Sequence, residues 1–206
     1  MDRPVVVLVF DGYADWEPAL VMAQLRDTAK REVLVAGFDR ASVTSMGGLR
    51  VTPSLGLDEV DPTSTALLLL PGGERWATGD DPQAQVDATL RAMLERKVPI
   101  AAICGGTVAL ARAGVLAGRA HTSNGPDFLA GVVPGYAGHA LYRDERAVRD
   151  QGVITASGLA SVAFARAIFA ELGLLPEAKR NAWFDAFHEE RIPDGVDPAW
   201  LFAPDA

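Results

Sequence analysis

Residues 99–108 read PIAAICGGTV, and the thiol they contain, Cys104, is the sole cysteine of a 206-residue chain. An apolar run ends on the sulfur, two glycines follow, and a helix-like run begins. A residue held in so tight a strand-to-helix turn needs small neighbours for the turn to close, and its side chain is pushed outward. Ala101 and Ala102 on one side, with Gly105 and Gly106 on the other, satisfy that need. The N-terminus of a helix over 106–113 then lies near the sulfur, and its positive end favours thiolate over thiol, so a lowered pKa is expected. Two further segments offer partners. PGG at 71–73 ends another apolar run, and the N–H groups of Gly72, Gly73 and Gly105 can approach a developing oxyanion because no side chain intervenes. Glu17, in FDGYADWEP after the first apolar run, can hydrogen-bond to a thiolate or shuttle its proton. Each feature alone has a plainer reading. A free cysteine is often a small buried hydrophobe, PGG is often only a turn, and a carboxylate is favourable at any helix N-terminus.

The elements that must position these groups alternate along the chain. VVVLVF (5–10), EVLVAGF (32–38), ALLLLPGG (66–73) and VPIAAIC (98–104) have the continuous apolar character of buried parallel strands. Helices are expected over 16–30, 83–96, 106–116 and 161–173, the last ending at Gly173 as a C-cap. Glycines 47 and 48 suggest a small hairpin within 42–60, and ALYRDERAVRDQGVITASG reads as two antiparallel strands around RDE or DQG. The pattern predicts a three-layer α/β/α sandwich with a mostly parallel central sheet, flavodoxin-like in arrangement. Open parallel sheets place ligand sites at the carboxyl ends of their strands, where Cys104 and PGG both lie. After Pro176, NAWFDAFHEERIP sets Trp183, Phe184 and Phe187 on one helix face. The division expected is an α/β domain over 1–175 and a helical extension over 176–206, packed on the same body or on a partner subunit.

Composition narrows the function classes. With 49% hydrophobic and 22% charged residues the chain has ample material for a core. A net charge of −8 without a basic run argues against nucleic acid as a partner. The longest apolar runs are strand-sized rather than membrane-sized. MDRPVVVLVF lacks a cationic leader, and one cysteine forms no internal disulfide, so a cytoplasmic protein is expected.

Taken in order, DGYADWEP, LLLLPGG, AAICGG, AGVLAGRAHTSN and VITASG leading into SVAFARAIFAELG resemble the ThiJ/PfpI (DJ-one) superfamily of the class I glutamine amidotransferase-like fold. The resemblance implies Cys104 as nucleophile, Glu17 as its acid partner, and the Gly73 and Gly105 amides as an anion pocket. The superfamily includes hydrolases, glyoxalase-like or deglycase-like enzymes, isonitrile hydratases, chaperones and oxidation sensors, so it implies a site without naming a reaction. This chain departs from it at informative places. The protease-like branch resembles AICHG, whereas Gly105 follows the cysteine here, so peptidase activity is not expected. The isonitrile hydratase branch resembles ICTG with an early Asp, which Gly105 and Glu17 do not match. Many members end the strand after the elbow helix on a histidine, where AHTSN ends on Asn124.

His121 lies an odd offset from Asn124 and so points to the opposite face of an extended strand, which suits a structural or surface role. Asn124, Thr107, Ser157, His139 and His188 are the remaining candidates to line the pocket, and spacing places none of the histidines there. No cofactor and no metal are expected. The leading reading is a cysteine-dependent hydrolase or lyase acting on a small carbonyl, amide or nitrile-like compound, with a nucleophile elbow at Cys104. The alternative is a non-enzymatic oxidation sensor or stress-protective protein whose thiol stops at sulfenic or sulfinic acid. Glutamine amidotransfer would need a late His-Glu pair, for which His188 and Glu189 are the available residues. A homodimer is expected from the resemblance and from the apolar surface of the aromatic tail.

Overall fold

The computed structural model describes residues 3–203; the first two and last three residues, included in the expectations for the N-terminus and tail, lie outside it. Strand β1 (Val5–Val9) is VVVLV with every residue buried, as a strand covered on both faces requires. Helix α1 (Trp16–Asp27) leads to β2 (Val33–Gly37). A two-stranded antiparallel hairpin of β3 (Val43–Thr44) and β4 (Arg50–Val51) follows, then the short β5 (Leu55–Gly56). Strand β6 (Leu67–Leu70) is LLLL, again wholly buried. Beyond it come α2 (Arg75–Thr78), α3 (Gln83–Glu95), β7 (Ile100–Ile103), α4 (Gly106–Arg112) and α5 (Phe128–Val132). The chain closes with β8 (Ala147–Asp150), β9 (Val153–Ala156), α6 (Ser161–Glu171), α7 (Glu177–His188) and α8 (Pro198–Phe202).

Seven strands form one sheet in the order β5-β2-β1-β6-β7-β9-β8, parallel except for β8, which pairs antiparallel with β9 around the DQG turn. The chain leaves β1 toward β2 and β5, then returns to β6 on the other side of β1. Right-handed crossovers therefore place α1 and α3 on opposite faces, and loops after β1 and β6 diverge to open a crevice at the carboxyl ends. Helix α1 packs on α6, and α3 on α4. Buried leucine, valine and phenylalanine side chains of this core each contribute about 1.5–3 kcal/mol.

The fold is the expected α/β sandwich, and the four strand expectations differ from the observed bounds by one to three residues. The differences are local. Helix α4 stops at Arg112 and α1 at Asp27, short of the expected ends. The 120–124 segment is not a strand: it makes one bridge, His121 with Tyr142, and otherwise runs as a loop. Helices α2 and α5, of four and five residues, carry too few periods to stand out in the sequence. Helix α6 does end on Gly173, which adopts φ +64° while Leu174 N–H bonds back to Phe169 O at 2.8 Å. Helix α7 begins directly after Pro176, and its Trp183 is fully buried with its ring 5.1 Å from Phe169. The tail thus spends its main aromatic anchor on its own α6.

Candidate active site

Four neighbouring strands deliver the site from their carboxyl ends: β1 leads to Glu17, β6 to Gly72 and Gly73, β7 to Cys104, and β9 to Gly158. Cys104 has φ +55°. The other non-glycine residues in that left-handed region are Lys30, Lys97, Gln151, Leu175 and Glu190, which follow helices or form the DQG hairpin, where such conformations are common. Cys104 alone has it between a strand and the start of a helix. Its N–H donates to Ala156 O at 2.9 Å, and its carbonyl accepts from Thr107 N–H at 3.2 Å and from the Thr107 hydroxyl at 2.6 Å. The strained turn is therefore pinned to β9 on one side and α4 on the other.

Glu17 is 0% exposed. Its Oε2 accepts the Gly72 N–H at 2.5 Å, Oε1 has no nitrogen or oxygen partner, and the carboxyl lies against the Cys104 thiol. Two glycines press against this pair. A Cβ on Gly72 would stand 2.9 Å from Cys104 Sγ and 2.8 Å from Glu17 Oε2; one on Gly158 would stand 2.8 Å from Sγ and 3.0 Å from Oε1. Gly158 was not among the sequence candidates, although it follows a buried strand just as Gly72 does. Its φ lies outside the left-handed region, so Gly158→Ala meets only a steric obstacle. We expect that variant to fold but to displace the sulfur, lowering turnover about 100-fold; steady-state kinetics beside a thermal melt checks this.

Burial pushes the Glu17 carboxyl up to about 7, against the lowering effects of the Gly72 N–H and of Cys104. The Cys104 thiol is also raised, first by burial and then by the neighbouring Glu17 charge, with the Asn124 and Gly105 hydrogen bonds acting against that. This corrects the expectation of a lowered thiol pKa. The half-buried position of the sulfur beside a carboxylate is what raises it. Protonating Glu17 removes the repulsion and turns its carboxyl into a donor, so the two groups titrate as a pair.

The anion pocket is corrected too. The Gly72 N–H is committed to Glu17 and does not face a substrate. The Gly73 and Gly105 amides have no oxygen acceptor among the described residues, and a Cβ on Gly105 would lie 3.2 Å from Gly73 N, so these two stay close together. Gly73 rests on Phe10, whose ring edge would be 2.5 Å from its Cβ, and Phe10 is held by Phe38 and Trp76 at 5.5 and 5.1 Å.

Of the remaining candidates, only Asn124 reaches the sulfur, its Nδ2 donating to Sγ at 3.2 Å. Thr107 does not line a pocket: buried, it joins the Cys104 carbonyl to the Ser123 hydroxyl. Ser157 bonds through its N–H to Arg146 O and through its hydroxyl to Leu159 N–H. His139 is exposed, its ring tilted against Tyr136 with centroids 4.7 Å apart. His188 is exposed and accepts from Arg146 at Nε2, 2.6 Å away, so no His188-Glu189 pair is presented to the thiol. His121 is buried and bonds to the Tyr136 hydroxyl and to Arg119 O. Asp15 ties down the hairpin tip through Ser45 and Gly47 instead of facing Cys104. Among the described residues no group of three or more His, Cys, Asp or Glu is arranged to hold a metal, and no helix is long and apolar enough to cross a membrane.

The family model for the DJ-1/PfpI family matches residues 3–171. The chain belongs to the DJ-1/PfpI family. Among curated members it is 34% identical over 189 residues to the uncharacterized protease YoaZ of Bacillus subtilis, covering 88% of this chain and 89% of that one. It is 37% identical over 119 residues to the deglycase TK1284 of Thermococcus kodakarensis, covering 58% and 70%. Among solved structures, the DJ-1 superfamily protein Atu0886 from Agrobacterium tumefaciens superposes with a TM-score of 0.85 at 37% identity, covering 91% of this chain and 98% of that one. The thiJ/pfpI family protein from Bacillus anthracis gives 0.84 at 30% identity, covering 92% of each. DJ-1/PfpI membership accounts for the fold.

Proposed function

We propose that this DJ-1/PfpI protein is a cysteine-dependent hydrolase or lyase that acts on a small carbonyl or acyl compound. The observation that carries this reading is the fully buried Glu17 carboxyl, held near neutrality, beside the sole thiol. Sγ adds to the carbonyl carbon and a C–S bond forms. The carbonyl π electrons move to oxygen, which the Gly73 and Gly105 N–H groups receive, and the thiol proton passes to Glu17. With an acyl compound Glu17 returns that proton to the leaving group as the carbonyl re-forms; water then adds to the thioester carbon and gives a proton to Glu17, and the C–S bond breaks as Sγ takes that proton back, a double role that a pKa near the working pH suits. The names of the curated relatives, protease and deglycase, support hydrolytic chemistry in general. Gly105, where the protease-like pattern has a histidine, speaks against peptide substrates for this chain. Assay of the wild type and of Cys104→Ser against small 2-oxoaldehydes and simple amides tests the reading. Turnover that disappears in the variant is expected; equal turnover in both overturns it.

A second reading, an oxidation sensor, is favoured by the donors around Sγ: Asn124, the Gly105 N–H and protonated Glu17. Donors so placed also suit the oxygens of a sulfinic acid. Two equivalents of peroxide, one for each oxygen added, followed by intact mass separate the readings, since two added oxygens without any turnover favour the sensor.

A homodimer is part of the proposal, and the face assigned to it is the rim of the site, ahead of the tail, whose Trp200 and Phe202 are 45% and 39% exposed. Trp16, Met46, Leu49 and Leu159 are 51%, 54%, 59% and 99% exposed. They share one edge, because Trp16 Nε1 donates to Gly158 O and Met46 N–H donates to Tyr13 O. Light scattering is expected to give twice the 21.8 kDa chain mass. Leu159→Asp with Met46→Asp is expected to give the single mass, and a wild-type monomer overturns the assignment.

A further inference from the structure

Asn124 has a side chain whose orientation follows from its surroundings. The Gly158 N–H, which can only donate, lies 2.9 Å from one end of the Asn124 amide, and Cys104 Sγ lies 3.2 Å from the other. An amide offers one acceptor and one donor end. The end at Gly158 is therefore the oxygen, and the end at sulfur is the NH2 group; the reverse arrangement would set N–H against N–H. The backbone that carries Asn124 is held with equal firmness. Thr122 N–H donates to the Thr155 hydroxyl at 2.9 Å, and the Thr122 hydroxyl donates to Glu145 O at 2.9 Å. The Tyr142 hydroxyl accepts from Ser123 N–H and donates to Ser123 O, both at 3.3 Å, while the Ser123 hydroxyl meets Thr107 at 2.6 Å. Thr107 in turn grips the Cys104 carbonyl, so the loop bearing the amide and the turn bearing the thiol move as one piece.

We infer that Asn124 is a catalytic residue of this site, an amide locked by Gly158 so that it donates to the Cys104 sulfur and stabilises the negative charge that forms there when the thiol gives up its proton. A donor in this position cannot take a proton. Of the two polar side chains at the sulfur, Glu17 is then the one able to take the thiol proton. The site is thus wired in one direction: Asn124 stabilises the charge on sulfur, and Glu17 alone carries the proton. Tyr142 is a positioning residue, acting through Ser123 on the amide.

This inference rests on Cys104 being the reacting group, and its test needs no turnover. Iodoacetamide alkylation is followed by intact mass from pH 5 to 10 in the full chain, with Cys104→Ser as the blank because no other cysteine is present. Asn124→Asp is the deciding variant. Its carboxylate can still accept the Gly158 N–H, so the loop stays anchored, but an anionic acceptor replaces the donor at sulfur. Loss of a charge-assisted hydrogen bond predicts alkylation at pH 7 about tenfold slower in Asn124→Ala, and at least as slow in Asn124→Asp, with unchanged melting temperatures. Tyr142→Phe is expected to give a smaller shift in the same direction. A wild-type alkylation profile in Asn124→Asp overturns the inference, whatever Asn124→Ala does, because anchoring alone would then be the role of Asn124. If the variants shift as expected while no carbonyl or acyl compound is turned over by the wild type, the assignment of Asn124 stands and the proposed activity falls.

Discussion

Cys104→Ser is expected to lower kcat/KM by on the order of 10³-fold or more, with the melting temperature close to that of the wild type. Serine keeps the volume and turn geometry of position 104, but its hydroxyl holds its proton far too tightly for the Glu17 carboxylate to remove. Asn124 and the Gly73 and Gly105 amides remain in place and leave a small residual rate. Because Sγ is half-buried and makes no disulfide, the stability change is expected to stay within about 1 kcal/mol. Kinetics and a urea titration on the same preparation separate the two quantities. Activity retained within tenfold would place the chemistry elsewhere in the molecule.

The second large effect belongs to Glu17, and its direction depends on pH. The carboxyl titrates near 4.5 in an unfolded chain and at about 7 in the fold. Below pH 4.5 both states hold the proton, and burial of the neutral acid carries no penalty. Between 4.5 and 7 the unfolded chain releases the proton while the folded one keeps it, so stability falls as pH rises. Above 7 the folded protein holds a buried carboxylate and is less stable by about 3 kcal/mol than in acid from this group alone. Glu17→Gln removes the titration. It is expected to raise the urea midpoint at pH 8, by up to the equivalent of about 3 kcal/mol, and to change it little at pH 4.5. The same variant is expected to lose about 10²–10⁴-fold in turnover, since an amide cannot shuttle the proton. An equal stability change at both pH values would show that Glu17 does not titrate in this range.

Glu17→Gln also marks how far the sequence reaches. Long apolar runs such as VVVLV and LLLL declare buried strands, and the topology of a parallel sheet then brings the ends of those strands together. That logic is enough to bring Glu17, Gly73, Cys104 and Gly105 into one place. What it does not convey is which hydrogen bond each group has already made. Gly72 appears equivalent to Gly73 in PGG, yet its N–H is consumed by Glu17. Thr107 and Asn124 both look like polar lining residues, but one grips a carbonyl and the other faces the sulfur. Those outcomes depend on angles set by tertiary packing, as does the burial that raises the thiol pKa. Gly158 carried a usable signal, a glycine just past the buried run VITA, whereas the five hydrogen-bonding partners that fix the 122–124 loop come from distant segments and leave no local pattern.

The left-handed backbone at Cys104 has a consequence for how this chain could change over time. At φ +55° the residue that fits without strain is glycine. Substitution there by glycine would relieve roughly 1 kcal/mol of backbone strain while deleting the thiol. A population screened only for heat resistance would therefore drift toward losing its cysteine, whereas one screened for turnover would retain it at a standing cost in robustness. Sequencing position 104 after parallel selections of the two kinds would expose that conflict directly.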